Sequence, residues 1–318
     1  MMKNQDKRVL VVTGPTATGK TALGVELALR LGGEVISADS MQLYRGMDIG
    51  TAKVTPEETR GVTHHLVDVA DPTESWSVSR WVEAAADCAE GIFARGGVPV
   101  IVGGTNLYID SLLSGRDFSE SGDPALRAAL SGEYERIGGE AFRENLRGVD
   151  PERAEKLHPS DKKRLVRAME VWRLTGETIT AHDARTRALP PRWDSLRFAL
   201  SFAERERLYA RIDTRVDAML RAGLAEEVRG LLRAGLSPDS TAMQAIGYKE
   251  IAAFLRGECT EAEAFENVKR ESRRYAKRQL TWLRRDAGLH WILWDAQPEI
   301  PAAADRICDA WNGGGINI

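Results

Sequence analysis

The sequence predicts an α/β fold in which a parallel-sheet core is interrupted by an all-helical insertion domain. Three observations predict it. The apolar run Val9-Leu10-Val11-Val12 leads through a glycine-bounded loop into the helical pattern Leu23-Gly24-Val25-Glu26-Leu27-Ala28-Leu29. Val98-Pro99-Val100-Ile101-Val102 is apolar and β-branched throughout, as a strand buried on both faces of a parallel sheet requires. From about Ser114 to Trp193 strand signals vanish and charged amphipathic helices take over.

The loop between the first strand and helix is Gly14-Pro15-Thr16-Ala17-Thr18-Gly19-Lys20-Thr21, a complete G-x-x-x-x-G-K-[ST] match in the strand–loop–helix context that gives the motif its meaning. Its glycines let backbone N–H groups turn inward to cradle phosphate oxygens. The helix start adds partial positive charge. Lys20 can bridge two phosphates, and the Thr21 hydroxyl can ligate Mg²⁺. The core is therefore P-loop NTPase-like, with a diphosphate or triphosphate as ligand.

Composition narrows the class. With 318 residues, 43% hydrophobic and 29% charged, the chain has room for a large core and two lobes. A net charge of −3 gives no global attraction to nucleic acid or membrane, so charge must be read locally. Cys88, Cys259 and Cys308 are odd in number and widely spaced, which argues for a reducing compartment and against a disulfide framework or structural zinc. No apolar segment approaches the ~20 residues of a membrane span, and no signal peptide pattern is present. A cytoplasmic protein is expected.

Taken in order, Gly33 to Ser40 reads as a second strand ending in Asp39. In an α/β sheet ligands sit beyond the carboxyl ends of the strands, so Asp39 should share the crevice with the glycine loop. There it can hold a metal through water or take a proton; it can equally cap the following turn. Polar groups (Ser40, Gln42, Tyr44, Thr51, Lys53) follow closely and suit substrate reading. Adjacent His64 and His65 would diverge in an extended chain, which favours hydrogen bonding over metal ligation. A helix is expected over Ser77 to about Arg95, with Trp81 and Cys88 inward. The strand at 98–102 ends in Gly103-Gly104-Thr105, without the acid of a Walker-B strand, which counts against an ordinary ATPase.

Within the insertion, helices are expected over Asp123-Pro124 to Ile137, Gly139 to Leu146 and Asp161 to Leu174, with Pro190-Pro191 marking the exit. A strand at Arg197–Phe202 rejoins the sheet. The next helix has Leu208, Ile212, Val216, Met219 and Leu220 as its apolar stripe, with Arg211 and Arg215 one turn apart. Residues 269–285 hold eight Lys/Arg against one acid, and Arg270, Arg274 and Lys277 recur at helical spacing beside Arg278 and Arg285. Tyr275 and Trp282 are interleaved with them. One cationic face on a net-acidic protein suggests a phosphate-backbone partner; a solvated helix is the plainer reading.

Gly-Pro-Thr-Ala-Thr-Gly-Lys-Thr, Asp-Ser-Met-Gln-Leu-Tyr, Met-Asp-Ile-Gly-Thr-Ala-Lys, His-His-Leu-Val-Asp, Gly-Gly-Thr-Asn-Leu-Tyr, Leu-His-Pro-Ser-Asp, Ala-Ile-Gly-Tyr-Lys-Glu and Tyr-Ala-Lys-Arg-Gln-Leu-Thr-Trp occur in that order. On these the chain resembles the bacterial tRNA dimethylallyltransferases (tRNA isopentenyltransferases) over nearly its whole length. Asn106, where that family often has Gly, and Ser272, where Thr is common, depart from the pattern.

The resemblance implies transfer of a dimethylallyl group from its diphosphate to N6 of the adenosine 3′ of the anticodon, position 37. It implies a catalytic group of Asp39, Lys20, Thr21 and Arg215, with Asp39 as base. Gly14, Pro15, Thr16, Ala17, Thr18, Gly19, Lys20 and Thr21 would hold the diphosphate, with Mg²⁺ near Thr21. The tRNA would meet Asp39, Ser40, Met41 and Gln42, then Thr105, Arg127, Lys162, Lys163, Arg164, Leu165 and Val166. Further along it would meet Gln244, Gly247, Tyr248, Lys249, Arg274, Lys277 and Arg278. Residues 1–115 and 194–318 form the expected core, and 116–193 a helical insertion contacting tRNA. A monomer is expected. The alternatives are a small-molecule kinase with ATP on the same loop, and an RNA-binding protein without transfer chemistry.

Overall fold

The computed structural model describes residues 7–115 and 122–313. In chain order the elements are β1 (Arg8–Thr13), α1 (Lys20–Leu31), β2 (Glu34–Ser37), α2 (Pro56–Thr59), β3 (His64–His65), α3 (Val78–Ala94), β4 (Pro99–Val102) and α4 (Asn106–Leu113). There follow α5 (Pro124–Ile137), α6 (Gly139–Arg147), α7 (Pro151–Lys156), α8 (Lys162–Thr175) and α9 (Ile179–Arg187). The chain ends with β5 (Asp194–Phe202), α10 (Arg205–Arg221), α11 (Leu224–Arg233), α12 (Tyr248–Leu255), α13 (Glu261–Leu283), β6 (His290–Trp294) and α14 (Ile300–Trp311).

The chain divides into two compact units, residues 1–112 with 193–318 and residues 113–192. The first is built on a six-stranded sheet in the order β3-β2-β4-β1-β5-β6, with every pairing parallel. Val12 pairs with Val102 and Phe198, and Ser37 pairs with Val102. This register aligns the carboxyl ends of β1, β2 and β4, with β5 running three residues further in the same direction. Whatever follows those strands must meet at one edge of the sheet.

β1 and β4 carry apolar residues at successive positions because both faces are covered. Val9 to Val12 and Val100 to Ile101 have no exposed surface. Leu23, Leu27, Phe198, Leu208, Ile212 and Ile307 belong to the same core. Full burial of a side chain of this size stabilises by about 1.5–3 kcal/mol. The second unit has its own core around Phe142, Leu146, Leu157 and Leu165.

Where helices and strands were expected, the main elements lie within a few residues. The elements without an expected counterpart are α2, β3, α4, α7, α9, α11, α12, β6 and α14. β6 reads His290-Trp291-Ile292-Leu293-Trp294 and is an edge strand with Leu293 exposed, so its pattern is neither continuous nor cleanly alternating. His64 and His65 pair as strand with Val35 and Ile36. His65 Nε2 lies 2.6 Å from Glu34 and His64 Nδ1 lies 3.0 Å from the Val62 carbonyl, so both make protein hydrogen bonds.

Candidate active site

The glycine loop is shaped by steric necessity at two points. Gly14 has φ +141°, and a Cβ there would come within 2.4 Å of the Leu200 carbonyl oxygen. Gly19 has φ +87° at the start of α1. The loop is then tied down from several elements. Thr18 donates its hydroxyl to the Pro15 carbonyl at 2.8 Å. The Trp294 indole donates to the Thr18 carbonyl at 3.0 Å, and Arg211 Nε to the Ala17 carbonyl at 3.2 Å. Gln279 accepts from the Thr16 amide at 3.1 Å and donates to the Gly104 carbonyl at 2.8 Å, joining the loop to the end of β4 through α13.

Two glycines follow β4, and at the first of them nothing larger fits. A Cβ on Gly103 would meet the Ala38 carbonyl at 2.1 Å, and one on Gly104 would meet Gln279 Nε2 at 2.3 Å. Thr105 follows, and its hydroxyl accepts from the Ser40 amide at 3.1 Å. Asn106, a departure from the family pattern, is buried; Thr13 donates to its Oδ1 at 3.2 Å and it donates to the Gln279 carbonyl at 3.5 Å. It therefore serves as a brace beneath the loop.

Above this edge lies a cavity of about 390 Å³. Lys20, Thr21, Asp39, Gln42 and Arg215 all line it, with Ser40 and Met41 beside them. Asp39 holds its turn by accepting from the Met41 amide at 2.9 Å and the Gln42 amide at 3.4 Å, both through Oδ1. The turn-capping and chemical roles are thus compatible, since Oδ2 remains for chemistry.

Lys20 donates to the Pro15 carbonyl at 2.6 Å. Burial, and secondarily the charge of Arg215, push its pKa down to about 7, while Asp39 acts in the opposite direction. Burial also lowers the pKa of Arg215, against the opposing pull of Asp39. Two basic groups and one carboxylate thus share the cavity, an arrangement that favours an anionic ligand able to pair with both bases. Tyr275 is pushed up to about 12 by burial and by the charge of Asp39, so it stays a neutral donor.

Of the residues expected to bind RNA, Gln244, Gly247 and Lys249 line the same cavity, as does Arg278. Arg278 also belongs to a second cavity on α13 with Arg274, Lys277, Thr281, Trp282 and Arg285. Trp282 is 42% exposed there, its indole donating to Asp110 at 2.6 Å. The cationic face is narrower than the composition of 269–285 suggests. Lys269 is bonded to Asp217 at 2.7 Å and Arg273 to Asp213 at 2.5 Å, so both fasten α13 to α10.

Three readings need correction. Tyr248 is fully buried and gives its hydroxyl to Glu227, so its side chain braces the cavity wall instead of meeting a ligand. Tyr44 is buried, and Lys53 bonds the Tyr44 carbonyl at 2.8 Å and Asp48 at 2.6 Å, so neither reads substrate. Leu165 and Val166 sit in the core of the second unit, leaving Lys162, Lys163 and Arg164 as the surface side chains of that segment. Lys162 pairs with Glu135 at 2.7 Å, and Arg127 pairs with the buried Glu170 at 3.0 Å.

Sequence reasoning missed Gln279 and Glu227. Gln279 had a signal: it is a polar residue on the α13 face that carries Ala276, Leu280 and Leu283, and it is 4% exposed. Glu227 had none, because an acid in the first turn of α11 is ordinary helix chemistry.

The fold and the cavity define a P-loop α/β protein whose glycine loop, a carboxylate and a buried arginine line one cavity. The chain belongs to the IPP transferase family: the IPP transferase model matches residues 42–286, and the isopentenyl transferase model matches residues 7–71. The tRNA dimethylallyltransferase of Desulforudis audaxviator is 49% identical, covering 89% of this chain and 91% of its own. The crystal structure of full-length tRNA isopentenylpyrophosphate transferase from Bacillus halodurans is 40% identical, covers 97% of each chain and superposes with a TM-score of 0.71. A eukaryotic dimethylallyltransferase captured acting on tRNA is 27% identical, covers 98% of this chain and 81% of that one, and gives a TM-score of 0.83.

Proposed function

We propose that this chain transfers a dimethylallyl group from dimethylallyl diphosphate to N6 of the adenosine at position 37 of tRNA, next to the anticodon. The observation that carries the reading is the meeting of Lys20, Thr21, Asp39 and Arg215 around one cavity. The adenine amine is a weak nucleophile because its lone pair is delocalised. As N6 forms its bond to C1 of the prenyl group, the C1–oxygen bond breaks and diphosphate leaves with that electron pair. Asp39 takes the proton from N6. Lys20, Arg215 and the loop amides stabilise the charge growing on the leaving group.

The donor set fits Mg²⁺. Among the described residues no group of three acids, histidines or cysteines is placed to hold a metal, while Thr21 lines the cavity at the glycine loop. A hard cation held mainly by phosphate oxygens and one hydroxyl is the arrangement Mg²⁺ adopts with few protein ligands. When bound, it would neutralise diphosphate charge.

The target base must leave its stack to reach Asp39. Ser40, Met41 and Gln42, with Gln244, Gly247 and Lys249 at the same cavity, would read it. Lys277 and Arg278, with Trp282 exposed beside them, suit the phosphate backbone and unstacked bases. Arg127, Lys162, Lys163 and Arg164 would add contacts from the helical unit, and Thr105 would act by holding Ser40. The enzyme would work as a monomer in the cytoplasm, where its three free cysteines stay reduced. Nothing among the relatives favours the ATP-dependent kinase reading.

The test is incubation with Mg²⁺, unmodified tRNA and labelled dimethylallyl diphosphate, followed by nucleoside mass analysis, with ATP alone in a parallel tube. Gain of one dimethylallyl unit on adenosine is expected. Asp39→Ala should lower the rate by roughly 10²–10⁴-fold while tRNA still binds. ATP consumption without prenyl transfer would overturn the reading.

A further inference from the structure

We propose that Glu227 is a positioning residue for Arg215 and Gln42, acting through the turn at residues 48–52. Its carboxylate is a four-donor hub. Oε2 accepts from the Asp48 amide at 2.9 Å and the Ile49 amide at 2.8 Å. Oε1 accepts from the Gly50 amide at 3.1 Å and the Tyr248 hydroxyl at 2.5 Å. Three consecutive backbone donors converging on one carboxylate fix the direction of the chain, and charge assistance strengthens each bond.

The turn has its own backbone bonds, from the Ala52 amide to the Ile49 carbonyl and from the Lys53 amide to the Asp48 carbonyl, both at 3.0 Å, and Glu227 holds the three amides these leave open. Ala52 sits at φ +44°, in the left-handed region that disfavours a residue with a Cβ. Gly50 is pressed so closely on the Tyr248 ring that a Cβ would come within 2.4 Å. Lys53 pins the far end through the Tyr44 carbonyl and Asp48. Between the two anchors, the Thr51 and Ala52 carbonyls point back at the cavity. Gln42 Nε2 lies 3.4 Å from each, and Arg215 Nη2 lies 3.5 Å from the Thr51 carbonyl.

These last contacts are at the long limit of hydrogen bonding. Their consequence is directional. The Thr51 carbonyl gives a direct acceptor to a guanidinium that burial penalises and the charges of Asp39 and Glu58 favour. Release of the turn from Glu227 would move this carbonyl and free Arg215 to swing away from a bound diphosphate. Two stretches far apart in sequence, Met47–Lys53 and Ala245–Glu250, thereby act on one arginine through an acid belonging to neither.

The proposal rests on the reading of the cavity as a diphosphate site, so its test is built on binding. Calorimetry with inorganic diphosphate and Mg²⁺ would compare the wild type, Glu227→Gln, Arg215→Lys and the double variant. Glu227→Gln should weaken binding by about tenfold, and Arg215→Lys should cost about tenfold in the wild type but under about threefold once Glu227 is Gln. Prenyl-transfer kinetics should show kcat lowered by Glu227→Gln while KM for tRNA stays within about twofold.

An equal cost of Arg215→Lys in both backgrounds would overturn the proposal and leave Glu227 as a scaffold residue only. If Glu227→Gln does not fold, Tyr248→Phe removes one donor and keeps the carboxylate, and its cycle with Arg215→Lys must show coupling of the same sign. Coupled diphosphate binding without any prenyl transfer would sink the proposed function and spare this inference. Transfer with uncoupled binding would do the reverse.

Discussion

Lys20 shows how burial and chemistry trade against each other at one residue. A lysine ordinarily stays charged far above neutrality, but here burial and Arg215 bring its pKa to about 7. The sign follows directly. Between that value and the unfolded value of 10.5 the unfolded chain binds the extra proton, so this group's contribution to stability rises with pH across that window. Below it, both states are protonated and the full cost of the buried charge is present. A diphosphate reverses the balance, because it restores the charge by pairing with it. Binding above neutral pH should therefore take up a proton, measurable by calorimetry in buffers of different ionisation enthalpy. Affinity for diphosphate should fall with pH more steeply in the wild type than in Lys20→Arg, whose charge is permanent, by about tenfold per unit between pH 7 and 9. Equal slopes would show that Lys20 is charged in the free protein. Asp39 teaches a related lesson: one carboxylate oxygen holds a turn and the other stays available, so capping and catalysis do not exclude each other.

At the scale of elements, α13 does two jobs that its composition blends together. Lys269 and Arg273 hold it to α10, and Gln279 fastens the glycine loop to the end of β4. Gln279→Ala would leave the Thr16 amide and the Gly104 carbonyl without that partner. A loss of roughly 1–3 kcal/mol in denaturant unfolding is expected. Weaker diphosphate binding should accompany it, because that contact holds the backbone of the glycine loop in place. A stability change below about 0.5 kcal/mol would mean that water replaces the side chain without cost. The junction of β4 with the residues after β2 is less forgiving. Gly103→Ala drives a Cβ to within 2.1 Å of the Ala38 carbonyl, so the two strand ends must part and carry Asp39 with them.

For the whole molecule, the relevant electrostatic quantity is the arrangement of charge, since the net value of −3 favours no RNA. If the face carrying Lys277 and Arg278 meets tRNA phosphates, replacing either by Ala should reduce the slope of log K against log salt by about 0.7–0.9. Lys269→Ala serves as the contrast, since that lysine is already bonded to Asp217 at 2.7 Å. Equal slopes for all three variants, by filter binding or fluorescence titration, would remove α13 from the RNA interface. The second unit has a separate core around Phe142 and Leu165, so its contacts can be altered without disturbing the sheet.

The sequence by itself determined the fold class, the glycine loop between the first strand and helix, the helical insertion and the acid just beyond the second strand. Each depends on short-range signals. A strand–loop–helix glycine pattern, apolar continuity and a 3.6-residue period are all written in neighbouring positions. Only the tertiary structure decided which polar residues face the cavity and which brace it. Tyr44, Lys53 and Tyr248 stand in motifs that look functional, yet packing places them in the frame. Glu227 stands in no motif, yet three amides and a hydroxyl converge on it. The physical reason is that a hydrogen bond between residues 48 and 227 depends on how helices pack on the sheet, and local periodicity carries no record of that distance.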